Sequence, residues 1–177
     1  MLASRLPTLQ QAVAVYSIIV LFVYGWSIYW YLWKLPSWLF YMTAPEMLTI
    51  FAYTVVVNFL ESIFVMLLPI LLSILLPVTW FRDRFIARGV ALVAVILTFL
   101  TYYSRLITGL VDLPPGLSRM MLEVAGAAIL VTFISGKVVL LRKLLEEISN
   151  RAVIFLYLSL PISALSILVV LIRNIFA

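Results

Sequence analysis

Apolar positions in this chain run in five long blocks, set apart by short connections that carry proline, glycine or charge. The blocks cover about residues 11–33, 48–77, 86–110, 117–136 and 152–172. A helix crossing a bilayer needs about 20 mostly apolar residues, so the pattern predicts an all-α fold, a polytopic transmembrane helical bundle of five spans forming a single integral-membrane domain. The first block is too long, and lacks a small-residue cleavage site after Tyr24-Gly25-Trp26, to read as a signal peptide; it is expected to be an uncleaved span.

The connections have their own patterns. Lys34 to Met47 is aromatic and apolar but interrupted by Pro36 and Pro45, which predicts a segment lying along the membrane interface. Asp112-Leu-Pro-Pro-Gly reads as a tight turn, with Ser118 or a neighbour capping the fourth helix. Beyond Gly136 the chain turns amphipathic over residues 137–149. Leu140, Leu141, Leu144, Leu145 and Ile148 form one face, and the i,i+4 pairs Arg142–Glu146 and Lys143–Glu147 lie opposite. This segment is expected to extend the fourth helix into the cytoplasm and to break at Ser149-Asn150, with Asn150 capping the fifth helix.

Unrolled at about 100° per residue, each span gathers its polar residues on a side. The second collects Asn58, Glu61, Ser62, Pro69 and Ser73; the third, Ala94, Thr98, Thr101, Tyr102, Arg105 and Gly109; the fifth, Ser159, Ser163 and Ser166. In the first span Ser17, Tyr24 and Tyr31 oppose Trp26, Trp30 and Trp33. The tryptophans suit an interfacial belt, so the tyrosine side is expected to face the bundle. The fourth span has two polar or small faces, Glu123/Gly126/Ala127 and Ala125/Ala128/Thr132/Ser135. Small residues permit close helix contact and a carboxylate avoids lipid, so this helix is expected at the centre.

Composition narrows the function classes. The 177 residues are 66% hydrophobic and 11% charged, with a mean hydropathy of +1.24. A soluble domain is about 45–50% apolar and about 25% charged, so a soluble enzyme, a nucleic-acid binder and a disordered tail are excluded. The absence of Cys and His removes the usual metal and haem ligands, thiol chemistry and histidine triads; no cofactor or metal site is expected. The net charge of +5 reflects lysines and arginines collected at helix ends. With the N-terminus inside, eight positive residues fall on the inner side (Arg5, Arg82, Arg84, Arg88, Lys137, Arg142, Lys143, Arg151) and four on the outer (Lys34, Arg105, Arg119, Arg173). The bias predicts N-inside and C-outside, in what is expected to be a prokaryotic cytoplasmic membrane. Arg82, Arg84 and Arg88 are candidate contacts for anionic lipid.

Three charges fall well inside the spans, away from their ends. Counted from the inner helix ends at about 1.5 Å per residue, Glu61 stands about 28 Å up, Arg105 about 30 Å and Glu123 about 21 Å. With Asn58 and Tyr102 they form a candidate outer-half cluster. An ionised group in hydrocarbon costs several kcal/mol unless paired or hydrated, which leaves two readings. In one, Arg105 pairs with Glu61 or Glu123 and the cluster holds helices together. In the other, the cluster lines an outward-facing cavity for a lipid headgroup, a small ligand or a proton, with the spare acid protonated or open to a cation. No nucleophile stands with a base, so catalysis is the weakest expectation. The leading expectation is a non-catalytic accessory or assembly subunit packing against a partner membrane protein or a second copy of itself. The alternative is a small transporter or ligand-binding membrane protein that uses the outer cluster.

Overall fold

The structure, a computed structural model, describes residues 6–107 and 116–176. Its elements are α1 (Leu9–Trp38), α2 (Ala44–Leu75), a 3-10 turn (Arg82–Arg84), α3 (Phe85–Ile107), α4 (Leu117–Lys137) and α5 (Val139–Phe176). Among the described residues, five helices are long and apolar enough to cross a membrane. Gly109 and all of the expected Asp112-Leu-Pro-Pro-Gly turn except Gly116 lie outside the described residues.

The helix ends follow from local chemistry. Thr8 and Gln11 exchange hydrogen bonds between side chain and backbone at 3.0 and 3.4 Å, starting α1. Thr43 does the corresponding work for α2: its backbone N–H and its hydroxyl both donate to Glu46 Oε2, at 2.7 and 2.9 Å. Pro45 sits in the first turn of α2, where a missing N–H costs nothing. The stretch from Lys34 to Met47 is therefore mostly helical, not an interfacial strip: α1 runs on through Pro36 to Trp38, and only residues 39–43 connect it to α2. Gly116, at φ 91°, precedes α4 in place of a side-chain cap; that left-handed conformation suits glycine.

Consecutive helices alternate in direction. Tyr16 meets Ser62 and Ser27 meets Asn58, so α2 runs back along α1. Ser17 meets Ser149 and Tyr24 meets Ser163, so α5 runs parallel to α1. Ser135 reaches the carbonyl of Ala87, setting α4 antiparallel to α3. "Leu9 end" and "Trp38 end" name the two ends of the bundle below.

The helix at the centre is α1, which packs on α2, α3 and α5. Val15, Ile18, Ile19, Val20 and Val23 are buried there with Phe81, Phe85 and Val93. The expectation that the fourth helix is central is overturned. Helix α4 lies on the rim, packed mainly on α3, and buries only Ala128, Ser135 and Gly136. One of its small-residue faces meets α3; on the other, Gly126 has nothing within 4 Å of where a Cβ would stand, and Glu123 finds its partner on its own helix.

The break expected at Ser149-Asn150 is also absent. Helix α5 is continuous over 38 residues, roughly 57 Å at about 1.5 Å per residue, and the amphipathic segment is its first part. The chain turns instead at Val138, whose backbone is extended. Ser149 is buried against α1: its hydroxyl donates to the carbonyl of Ala14, and Ser17 donates to the carbonyl of Ser149 at 3.1 Å. A small polar residue there lets two helices approach closely, and its hydroxyl is satisfied across the gap.

The predicted inward faces of α1, α2 and α5 are largely buried, although Glu61 of α2 is exposed; the face predicted for α3 is not buried, since Thr98, Tyr102 and Arg105 are exposed. Ser17 and Tyr24 of α1, Asn58, Ser62, Pro69 and Ser73 of α2, and Ser159, Ser163 and Ser166 of α5 are buried.

Candidate functional site

Trp26 organises the Trp38 half of the bundle. One side of the indole meets Arg105, whose guanidinium carbon lies 5.5 Å from the ring centroid. Arg105 also lies 5.8 Å from the centroid of Tyr29 and donates to the Tyr29 hydroxyl at 3.2 Å. Tyr29 stacks on Trp26 at 5.9 Å. The positive charge on α3 is thus met by two aromatic faces of α1 and a phenol oxygen, a cation–π arrangement, not by a carboxylate. These groups line a hollow of about 530 Å³ with Leu21, Phe22, Gly25 and Thr101.

Glu61 opens elsewhere. It lines a cleft of about 300 Å³ whose floor is α1 (Phe22, Val23, Trp26, Ser27) and whose far wall is α3, including Thr101, Tyr103 and Ser104. Helices α2 and α3 barely touch, so the cleft lies in the gap between them. A second groove, about 550 Å³, meets Glu61 from the α2 side; Ser27, Thr54, Asn58 and Arg173 are among its lining residues. Among the described residues the ion pairs are Arg119–Glu123, Arg142–Glu146 and Arg151–Glu147, and none includes Glu61 or Arg105. The expected pairing of Arg105 with Glu61 or Glu123 therefore does not form. Trp26 borders both hollows, with the cation in one and the acid in the other.

The five residues of the candidate cluster separate into four places, with Arg105 alone in its hollow. Asn58 is buried and accepts from Ser27 Oγ at 2.7 Å, which fixes the α1–α2 register beside Glu61. Tyr102 is exposed and lines a groove between α3 and α4 with Val124 and Ala127. Glu123 accepts from Arg119 Nε at 3.1 Å, one turn away, with both side chains well exposed. An arginine four residues away on the same helix is a ready partner for a carboxylate.

The three arginines expected to contact anionic lipid also divide. Arg82 donates from Nε to the carbonyl of Leu6 at 3.2 Å, tying the start of the chain to the 3-10 turn. Arg84 is half-buried. Arg88 is only 7% exposed; it crosses Gly136 of α4 and donates from Nη1 to the carbonyl of Thr79 at 3.1 Å. It is a core residue, not a surface contact for lipid.

Sequence reasoning missed Trp26, Ser27, Tyr29 and Tyr103 as members of the site. The helical wheel did place Trp26 apart from Tyr24 and Tyr31, but an interfacial belt explained it. The available signal was Tyr29, three residues beyond Trp26 on the same face, giving an aromatic pair at the level of Arg105. Among the described residues no group of three or more His, Cys, Asp or Glu stands close enough to hold a metal ion. No protein-family model matches this chain, and no curated protein or solved structure is similar to it.

Proposed function

We propose that this chain is a non-catalytic multi-pass integral membrane protein, N-terminus inside and C-terminus outside, that binds or carries a small ligand or lipid headgroup in the cleft between α2 and α3. The observation that carries this reading is Glu61: a carboxylate without an ionic partner among the described residues, lining both the cleft and its neighbouring groove. By the bias of positive residues the Trp38 end is the outer one, which sets Glu61 in the outer half of the bilayer. A lone carboxylate at that depth needs hydration, a proton or a counter-charge. A hollow lined by hydroxyls admits a partner for it. Mild-detergent isolation followed by native mass spectrometry tests the reading. Wild type is expected to retain a small companion that Glu61→Gln loses; wild type with no companion in any of several gentle detergents removes it. A reporter fused after Ala177 is expected to be active only on the outside.

A second reading, the accessory or assembly subunit, is favoured by α4. Its outward face carries the exposed Arg119–Glu123 pair, and a side chain added at Gly126 would meet nothing within 4 Å. A helix of a partner membrane protein, or of a second copy, would cover both. Photo-crosslinking from position 126 tests this: one recurrent partner supports it, and lipid adducts alone remove it.

A further inference from the structure

Resting on that reading of the cleft, we infer that its ligand presents a primary ammonium group on an apolar body. The argument is a count of hydrogen atoms. Ser27 gives its hydroxyl hydrogen to Asn58 Oδ1 at 2.7 Å. Thr101 gives its own to the carbonyl of Thr98 at 2.8 Å. A hydroxyl has one donor and two acceptor lone pairs. With its hydrogen committed to the protein, each of these groups faces the cleft as an acceptor, and Glu61, when ionised, is acceptor only. The polar lining therefore matches a ligand that donates several hydrogen bonds and carries one positive charge. A primary ammonium has three donors and one charge; a quaternary ammonium has the charge without the donors, and an alcohol has a donor without the charge.

The rest of the lining fits the same group. Phe22 and Trp26 supply aromatic faces, which attract ammonium ions. Leu97, Leu100 and Ile107 supply an apolar wall. Tyr103 also borders the cleft, and its hydroxyl is buried without a hydrogen-bond partner. Arg105 is held in the other hollow by Trp26 and Tyr29, and Arg173, which borders the α2 groove, makes no ion pair with Glu61. Glu61 is the one acid among the residues that line the cleft, and a single carboxylate suits a monocation. Because α2 and α3 barely touch, the ammonium group enters from the side with its apolar body left in the bilayer. The shared chemistry belongs equally to an aminophospholipid headgroup and to a free long-chain amine.

The test uses the full chain in detergent, with tryptophan fluorescence as the readout, and three probes of equal chain length: dodecylamine, dodecyltrimethylammonium and dodecanol. Dodecylamine is expected to bind at least about tenfold more tightly than either analogue, and Glu61→Gln is expected to remove at least about tenfold, the worth of one hydrogen bond to a charged group. Thr101→Ala, which removes one acceptor, is expected to weaken dodecylamine alone, and it serves where Glu61→Gln does not fold. A parallel arm in nanodiscs of mixed phosphatidylethanolamine and phosphatidylcholine separates the sources. Selective retention of the ethanolamine lipid, displaced by dodecylamine, identifies the headgroup; amine binding without lipid selectivity identifies the free amine. Equal binding of the trimethyl analogue, or amine binding indifferent to both substitutions, overturns the ammonium inference. Glu61-dependent binding of dodecanol or the trimethyl probe without the amine overturns it too, while leaving the cleft reading intact. No Glu61-dependent companion and no bound probe overturns both.

Discussion

Arg88 of α3 lies across Gly136 of α4, so that the two helices meet where a guanidinium rests on a bare backbone. A Cβ at position 136 would stand 2.9 Å from both Cζ and Nη2 of Arg88, and closer still to Nε. The guanidinium is held on its other side by the carbonyl of Thr79, while Nε is buried without a partner. A buried cation thus joins the connection after α2 to the contact between α3 and α4. Glycine is required here for the close approach and not for its backbone freedom.

Gly136→Ala is accordingly expected to destabilise the bundle by about 1–3 kcal/mol, the usual cost of overpacking a filled site. Helix propensity alone predicts the opposite, since alanine outranks glycine by about 1 kcal/mol. Thermal unfolding in detergent separates the two by sign. Arg88→Met in the Gly136→Ala background is expected to recover part of the loss, a non-additivity that two independent sites would not show.

How much of this was legible beforehand depends on the kind of information. The five helices were legible because apolar length is a property of the sequence alone, and the buried faces of α1, α2 and α5 because serine and tyrosine recur at helical spacing. The site was legible only in part. Glu61 and Asn58 were found because polar residues in apolar blocks stand out, but their partners were not, since partner choice depends on which helices touch. Two small-residue faces suggested that α4 is central; a small face permits contact without requiring it, and Arg119 satisfies Glu123 without help from another helix. Ser149-Asn150 resembled a break because both residues favour caps. Tertiary packing of Ser149 on Ala14 overrode that preference.

The continuity of α5 makes a distinguishing prediction at Asn150. As the cap of a helix, Asn150→Ala would cost about 0.5–2 kcal/mol. As an exposed residue inside a helix, the same change is expected to be neutral or to stabilise by up to about 0.7 kcal/mol, because alanine has the higher propensity. Ser149→Leu, one residue earlier, is expected to destabilise severely by forcing α1 and α5 apart. Unfolding midpoints of the two variants decide the matter.

Tyr24 and Ser163 give an asymmetric pair. Ser163 donates to the carbonyl of Ser159 at 2.7 Å, which leaves Tyr24 as donor in their 2.7 Å contact. Tyr24→Phe therefore strands no hydrogen and is expected to cost about 0.6 kcal/mol, the average for such bonds in a membrane. Ser163→Ala leaves a buried phenol without an acceptor and is expected to cost about 1–3 kcal/mol. Adding Tyr24→Phe to Ser163→Ala is expected to restore stability. A double variant weaker than Ser163→Ala alone would contradict this assignment of donor and acceptor.

Arg105 and Glu61 supply the last prediction, because an ion pair and two separate environments differ in coupling. If the charges were paired, removing either would strand the other, and the double substitution would cost much less than the sum. In the structure Arg105 rests on Trp26 and Tyr29 while Glu61 borders the cleft beyond Trp26. Arg105→Gln and Glu61→Gln are therefore expected to be additive within about 0.5 kcal/mol. The coupled partner of Arg105 is expected to be Trp26: Trp26→Leu removes most of what Arg105 contributes, about 0.5–2 kcal/mol for a cation–π contact. Stability measured around both double-mutant cycles checks the claim, and strong coupling between Arg105 and Glu61 would return the two charges to a single site.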